Sequence, residues 1–193
     1  MVDISQLGGL QSAEPLDMDL YVDSKELPPI PPKGRYTVRA PEAFGADAFG
    51  ATKAGFLSVR VDPIIIAPAA NEHYTIRYTK VSAKPFNRNG VRVSQVGDYL
   101  RATGRRQNVS GNPQEIADAV AETANSVFEI NADWRAYCKG CQFSLEGMQK
   151  FPSDGNGGHV PVVTCPTCKD AETGLPLQLK GNLIVTRYVS AVA

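Results

Sequence analysis

The sequence predicts a mainly β fold, a small Greek-key barrel with one or two helices and a four-cysteine metal ribbon inserted between its last two strands. Three observations lead there. About five segments alternate apolar and polar residues at the period of a strand and are joined by hairpin-like turns. A capped helical stretch stands between the third and fourth of these, which suits an antiparallel barrel better than a parallel α/β sheet. All four cysteines fall in two C-x-x-C pairs, Cys138/Cys141 and Cys165/Cys168, with 23 residues between them.

Residues 1–32 show no sustained period. They carry an acidic cluster (Glu14, Asp17, Asp19, Asp23, Glu26) and a proline stretch from Leu27 to Pro32. This composition reads as an extended arm ending in a polyproline-II linker, with the barrel occupying 33–193. Arg35 to Ala40 is the first strand, Tyr36 and Val38 on one face and Arg35, Thr37 and Arg39 on the other. Pro41 to Thr52 reads as a loop carrying Phe44 and Phe49. Phe56 to Asp62 is the second strand, with Leu57, Val59 and Val61 inward and Phe56, Ser58 and Arg60 outward. Pro63 to Ala67 either extends it past a bulge or opens a turn, and Tyr74 to Val81 is the third strand.

Lys84 to Gly90 reads as a polar turn with Phe86 at its centre. Ser94 caps a helix through Thr103 that Gly104 stops, with Arg101, Arg105 and Arg106 at its end. Asn112 caps a second helix, with Pro113 in its first turn, Glu115 at N3 and a stripe of Ile116, Val120 and Ala124. Phe128 to Ala136 alternates, turning Phe128, Ile130, Ala132 and Trp134 to the core, and delivers the chain to Cys138. Between the pairs lie a Gly-rich turn (Asp154–Gly158) and a short strand, His159 to Val163. Leu177 to Val189 is the last strand.

The spacing of the cysteines is that of a zinc ribbon spanning 138–168. Two knuckles bring four thiolates into a tetrahedron, which suits one structural Zn²⁺ ion held by Cys138, Cys141, Cys165 and Cys168. Disulfides within each pair would close very small loops, and a redox C-x-x-C expects a βαβ context that is missing. His159 offers an alternative nitrogen ligand, but four thiolates suffice. An all-cysteine site leaves no open position for catalysis, and no nucleophile triad, phosphate loop or carboxylate pair stands out. The expectation is a binding protein and not an enzyme.

Lys and Arg total 20 and Asp and Glu total 20, yet the charge is uneven. Residues 33–106 hold thirteen cations against five acids, with acidic flanks on both sides. A basic domain of this kind suits a polyanion, whose counterions are released on binding. The cations expected to meet phosphates are Arg35, Arg39, Lys53, Arg60, Arg77, Lys80, Lys84, Arg88 and Arg92. Phe56 and Phe86, with Phe44 a further candidate, are the expected stacking platforms. No apolar run reaches membrane-spanning length. Nothing near Met1 resembles a leader, so the expected location is the cytoplasm.

Four stretches, Gly34–Val38, Thr52–Leu57, the helix at Tyr99-Leu100 and Val127–Tyr137, together resemble bacteriophage OB-fold single-stranded-DNA-binding proteins. The ribbon set within such a barrel is similar in plan to the zinc-bearing domain of the large subunit of replication protein A. The resemblance covers roughly residues 33–190 and implies sequence-tolerant binding of single-stranded DNA in replication or recombination, in the host cytoplasm if phage-encoded. The family's acidic tail stands at the C-terminus, whereas here the acids are N-terminal; replication or recombination proteins are the expected partners of that acidic arm. The alternative reading is a zinc-stabilised structural or adaptor protein that meets an acidic protein partner.

Overall fold

The computed structural model describes residues 29–105 and 107–191. The acidic cluster of the arm and Arg106 lie outside the described residues. Ile30 and Pro31 are buried, and the carbonyl of Pro31 accepts the indole N–H of Trp134 at 2.6 Å. The hydroxyl of Tyr36 donates to the carbonyl of Pro32. The end of the proline stretch is therefore packed against the body, where the sequence suggested a linker. A rigid extended segment can do this because its carbonyls, unpaired by any ladder, are open to side-chain donors.

The strands in chain order are β1 (Gly34–Arg39), β2 (Phe49–Ala51), β3 (Leu57–Arg60), β4 (Ile64–Ala67), β5 (Lys80–Ser82), β6 (Phe86–Arg88) and β7 (Val91–Val93). Helices α1 (Gln95–Ala102) and α2 (Pro113–Ala121) follow, and then β8 (Val127–Tyr137), β9 (Ser144–Glu146), β10 (Val162–Lys169), β11 (Pro176–Lys180) and β12 (Asn182–Ala191). One antiparallel sheet has the order β12-β8-β1-β4, with β9 added on β8. A second has the order β2-β3-β5, and β6-β7 and β10-β11 form separate hairpins. The fold is mainly β, as the alternating segments predict.

Strand β8 organises the first sheet because its pattern is unbroken: Phe128, Ile130, Ala132, Trp134 and Ala136 are all buried. They meet Tyr36 and Val38 of β1, Val59 of β3 and Val61 just after it, and Ile65, Ile76 and Val81 in one core cluster. Helix α1 packs against β12 and β5 and closes one side of the core. Its Ser94 cap accepts from the N–H of Gly97 at 3.1 Å, and Gly104 leaves it at φ 96°, the expected start and stop. Tyr99 sits edge-on to Phe128 at 5.6 Å and to Tyr188 at 5.7 Å. Its hydroxyl meets that of Thr123 at 2.8 Å. Burial raises the Tyr99 phenol to about 12, with the Thr123 bond pulling the other way.

Several elements differ from the sequence expectation. The loop expected over Pro41 to Thr52 contains β2, and Pro63 to Ala67 supplies β4, which pairs with β1. The short strand expected over His159 to Val163 is β10, which runs on to Lys169. The third strand is regular only over β5, because Tyr78 adopts φ 62° and His73 φ 68°, which breaks the period over Tyr74 to Thr79. Lys84 to Gly90 belongs to a hairpin: Asn89 (φ 51°) and Gly90 (φ 80°) form the left-handed pair that joins β6 to β7, the geometry an Asn-Gly dipeptide favours. The last strand is two strands. Gly181 divides β11 from β12, and a Cβ there would stand 2.9 Å from the Phe151 ring and 3.0 Å from the Pro161 carbonyl.

Candidate functional site

Strands β8 and β12 are hydrogen-bonded neighbours, and the chain between them forms an excursion that returns to the sheet only at β9, paired with the end of β8. Cys138 follows β8 directly, Cys141 lies in the next turn, and Cys165 and Cys168 lie on β10. The four Sγ atoms all fall within 4.8 Å of one another, the Cys141–Cys165 pair at 3.4 Å. Sulfurs about 2.3 Å from a shared tetrahedral centre would stand about 3.8 Å apart, so the cluster has the dimensions of a four-thiolate metal site. All four cysteines are free thiols. The four sequence-predicted ligands are thus brought together, and they could hold one metal ion.

Local structure explains how. Cys138 is fixed by its N–H to the carbonyl of Phe143 at 3.0 Å. A Cβ at Gly140 would lie 3.1 Å from the Cys168 sulfur and 3.9 Å from that of Cys138, so glycine lets the first knuckle pass over the sulfurs. The N–H of Cys168 points at the Cys165 sulfur from 3.3 Å. Desolvation pushes the Cys165 thiol up, but the N–H groups of Cys168 and Thr167 and the neighbouring sulfurs outweigh it and bring it to about 7. Hydrogen bonding with Cys138 and Cys141 pushes Cys168 up to about 12. Metal capture by this set must therefore release protons. His159 is outside the cluster, its Nδ1 held by the Phe151 carbonyl at 2.8 Å.

The excursion has little core of its own. Phe151 and Val163 are its buried apolar side chains besides the cysteines. Phe151 packs edge-on to Trp134 at 5.3 Å, and Asp133 of β8 accepts the N–H of Met148 at 2.7 Å. The module is tied to the end of β8 by the short β8–β9 ladder, the Arg135–Glu146 pair, this aromatic contact and the Asp133 carboxylate.

The basic and aromatic candidates fall on separate surfaces. Arg35 and Arg39 face outward on β1, and Arg35 pairs with Glu129 on the neighbouring strand. The same sheet pairs Lys33 with Asp133 at 3.1 Å and Arg135 with Glu146 at 3.0 Å. These three pairs neutralise part of its outer face from within, while Arg39 has no ion pair among the described residues. On the hairpin, Arg88 lies 5.2 Å over the Phe86 ring and makes two bonds to Asp98 of α1, at 2.9 and 2.6 Å. Arg92 is on the opposite side of the hairpin and lines a groove with Val96, Leu100 and Ile116.

The β2-β3-β5 sheet differs. Ser58 pairs with Ser82 and Arg60 with Lys80, and the Ala83 N–H to Leu57 carbonyl bond of 2.8 Å extends the register by one residue. That register puts Phe56 beside Lys84. Its outer face therefore presents Phe56 and Lys84 at one end, Gly50, Ser58 and Ser82 in the middle, and Arg60 and Lys80 at the other. Lys53 stands at the β2–β3 tip, where the N–H of Phe56 bonds the Thr52 hydroxyl at 3.1 Å. Arg60 is paired with Asp47 at 2.8 Å and Asp62 at 3.6 Å. Lys53, Lys80 and Lys84 have no ion pair among the described residues. The sequence pattern placed Ser58 outward beside Phe56 and Arg60 but did not bring out Gly50 and Ser82; the small size of all three keeps the middle of the face open.

No protein-family model, no curated protein and no solved structure matches this chain. No helix among the described residues is long and apolar enough to cross a membrane.

Proposed function

We propose that this chain is an OB-like single-stranded-DNA-binding protein of the bacteriophage type, with one structural Zn²⁺ in its cysteine cluster and its binding surface on the outer face of the β2-β3-β5 sheet. The observation that carries the reading is the register of that sheet: an aromatic ring 38% exposed at Phe56, uncompensated Lys80 and Lys84, and a flat middle of Gly50, Ser58 and Ser82 share one face. A single strand needs this combination. Bases stack on an aromatic face without regard to sequence, while cations along the track meet successive phosphates. Phe86, 40% exposed on the adjoining hairpin, supplies a second ring.

Zinc is favoured over other metals because four thiolates in a closed tetrahedral set suit a soft-tolerant d¹⁰ ion. Its role is to fold a module that has too few apolar residues to fold alone. The acidic N-terminal arm remains the proposed contact for replication or recombination proteins.

The test is anisotropy of a labelled mixed-sequence 20-mer titrated with salt. The reading expects micromolar or tighter binding that weakens steeply with salt and prefers single strands to duplex. Equal affinity for duplex, or a flat salt response, contradicts it. The second reading, an adaptor, draws on the exposed apolar Leu175, Val160 and Val162 of the metal module. It expects a protein partner captured through that module and no oligonucleotide binding.

A further inference from the structure

Pairing along the β3 and β5 strands keeps one register through Val61 and Thr79, then resumes one residue out of step at Pro63 and Ile76. Arg77 and Tyr78 together therefore stand opposite Asp62, whose carboxylate accepts the N–H of Thr79 at 2.8 Å. This is a β-bulge with Tyr78 at φ 62°. Glycine is the usual occupant of a left-handed bulge position. A tyrosine there is strained, and its ring is 75% exposed, so packing does not account for it. Bulges re-aim side chains next to sites, and strain retained without a packing reward points to use of the side chain.

The bulge aims at a cavity of 310 Å³ whose walls include Tyr74, Arg77, Tyr78, Lys180 and Asn182. Ile30 and Leu183 give it an apolar floor. Arg77 and Lys180 arrive from distant parts of the chain, neither has an ion pair among the described residues, and no carboxylate lines the space. Two cations, two phenol rings, a side-chain amide and a small volume match an anionic group attached to a planar one.

We propose that this cavity binds a single nucleotide, its phosphate held by Arg77 and Lys180, its base stacked on Tyr78 and its base edge bonded by Asn182. The site uses none of Phe56, Lys80 or Lys84 and stands whether or not the sheet face binds a strand. The nucleotide is either free or the 5′-phosphorylated end of a strand, since the chemistry is shared.

Calorimetric titration of the full chain with dAMP, deoxyadenosine and inorganic phosphate tests this. The expected result is dAMP binding at low salt at least about tenfold tighter than either fragment, the share a stacked base supplies. Tyr78→Gly suits the left-handed backbone, so its melting temperature should hold or rise while its dAMP affinity falls to that of phosphate. The Arg77→Gln/Lys180→Gln variant should fall to the level of the nucleoside, and Lys80→Gln/Lys84→Gln should bind dAMP like the parent. A 5′-phosphorylated dinucleotide binding tighter than dAMP identifies the strand end as ligand, and equal binding identifies the free nucleotide. No heat with dAMP, equal affinity for dAMP and phosphate, or parental affinity in folded Tyr78→Gly would overturn the proposal.

Discussion

The two sheets present outward faces that look alike in sequence and differ in chemistry. Around β1 and β8 most outward cations meet carboxylates across the strands: Lys33 meets Asp133, Arg35 meets Glu129 and Arg135 meets Glu146, while Arg39 has no ion pair among the described residues. On β3 and β5 the cations stand side by side, Arg60 opposite Lys80, and only Arg60 has acids within reach, Asp47 and Asp62. A count of positive charge along the chain treats both faces as equal. Cross-strand register decides which one has field left over for a polyanion.

The contrast can be broken or sharpened in graded ways. Metal removal should have the largest effect and should be one-sided, because the module hangs from β8 and β12. Chelation is expected to speed amide exchange over residues 138–169 by about a thousandfold while β2, β3 and β5 keep their protection. Uniform loss of protection across both sheets would contradict the separation. Next in size, Phe56→Ala should weaken oligonucleotide binding by about 1–3 kcal/mol, roughly 5- to 150-fold, with little change in melting temperature because the ring is exposed. An unchanged affinity would remove the stacking platform from the account.

Smaller effects belong to the compensated face. Arg35→Ala should change stability by less than about 1 kcal/mol, since its pair with Glu129 is solvent-exposed, and urea unfolding would register anything larger. Desolvation pushes the Asp133 carboxyl up, but the N–H groups of Met148 and Trp134 and the Lys33 ammonium outweigh it and hold it below its ordinary value. A carboxyl depressed in the folded state contributes stability that is complete above the ordinary aspartate range and is lost as pH falls through the folded value. Melting temperatures of the parent and Asp133→Asn, followed downward from pH 5, should converge in acid. Curves that stay parallel would mean that Asp133 is not the group titrating.

Much of the framework was readable from residue order, where each reading rested on a local rule. The β8 alternation, the Ser94 and Asn112 caps and the cysteine spacing needed only neighbours in sequence, and each is found in the structure. Asn89-Gly90 was also a local signal, overlooked because the polar residues around Phe86 suggested an open turn. The bulge at Tyr78 was not readable, because a tyrosine is a poor advertisement for a left-handed backbone and the one-residue slip exists only between two strands. Gly181 was hidden for a related reason: the side chain it leaves room for, Phe151, lies thirty residues earlier. The partition of the cations was unreadable too. It depends on Glu129, opposite Thr37, lying diagonally within reach of Arg35 and on Lys80 lying across from Arg60, and both are facts of register.

The most direct measurement compares two double substitutions that remove the same net charge from different faces. Lys80→Gln/Lys84→Gln and Arg35→Gln/Arg39→Gln alter the long-range field equally, so a difference in single-stranded DNA affinity reports local contact. Anisotropy over a salt series should show the first pair weakening binding at least about tenfold and flattening the log-affinity slope by about 1.4, with the second pair within about twofold of the parent. Equal losses from the two faces, or the larger loss from Arg35 and Arg39, would contradict the assignment of the binding face to β2, β3 and β5.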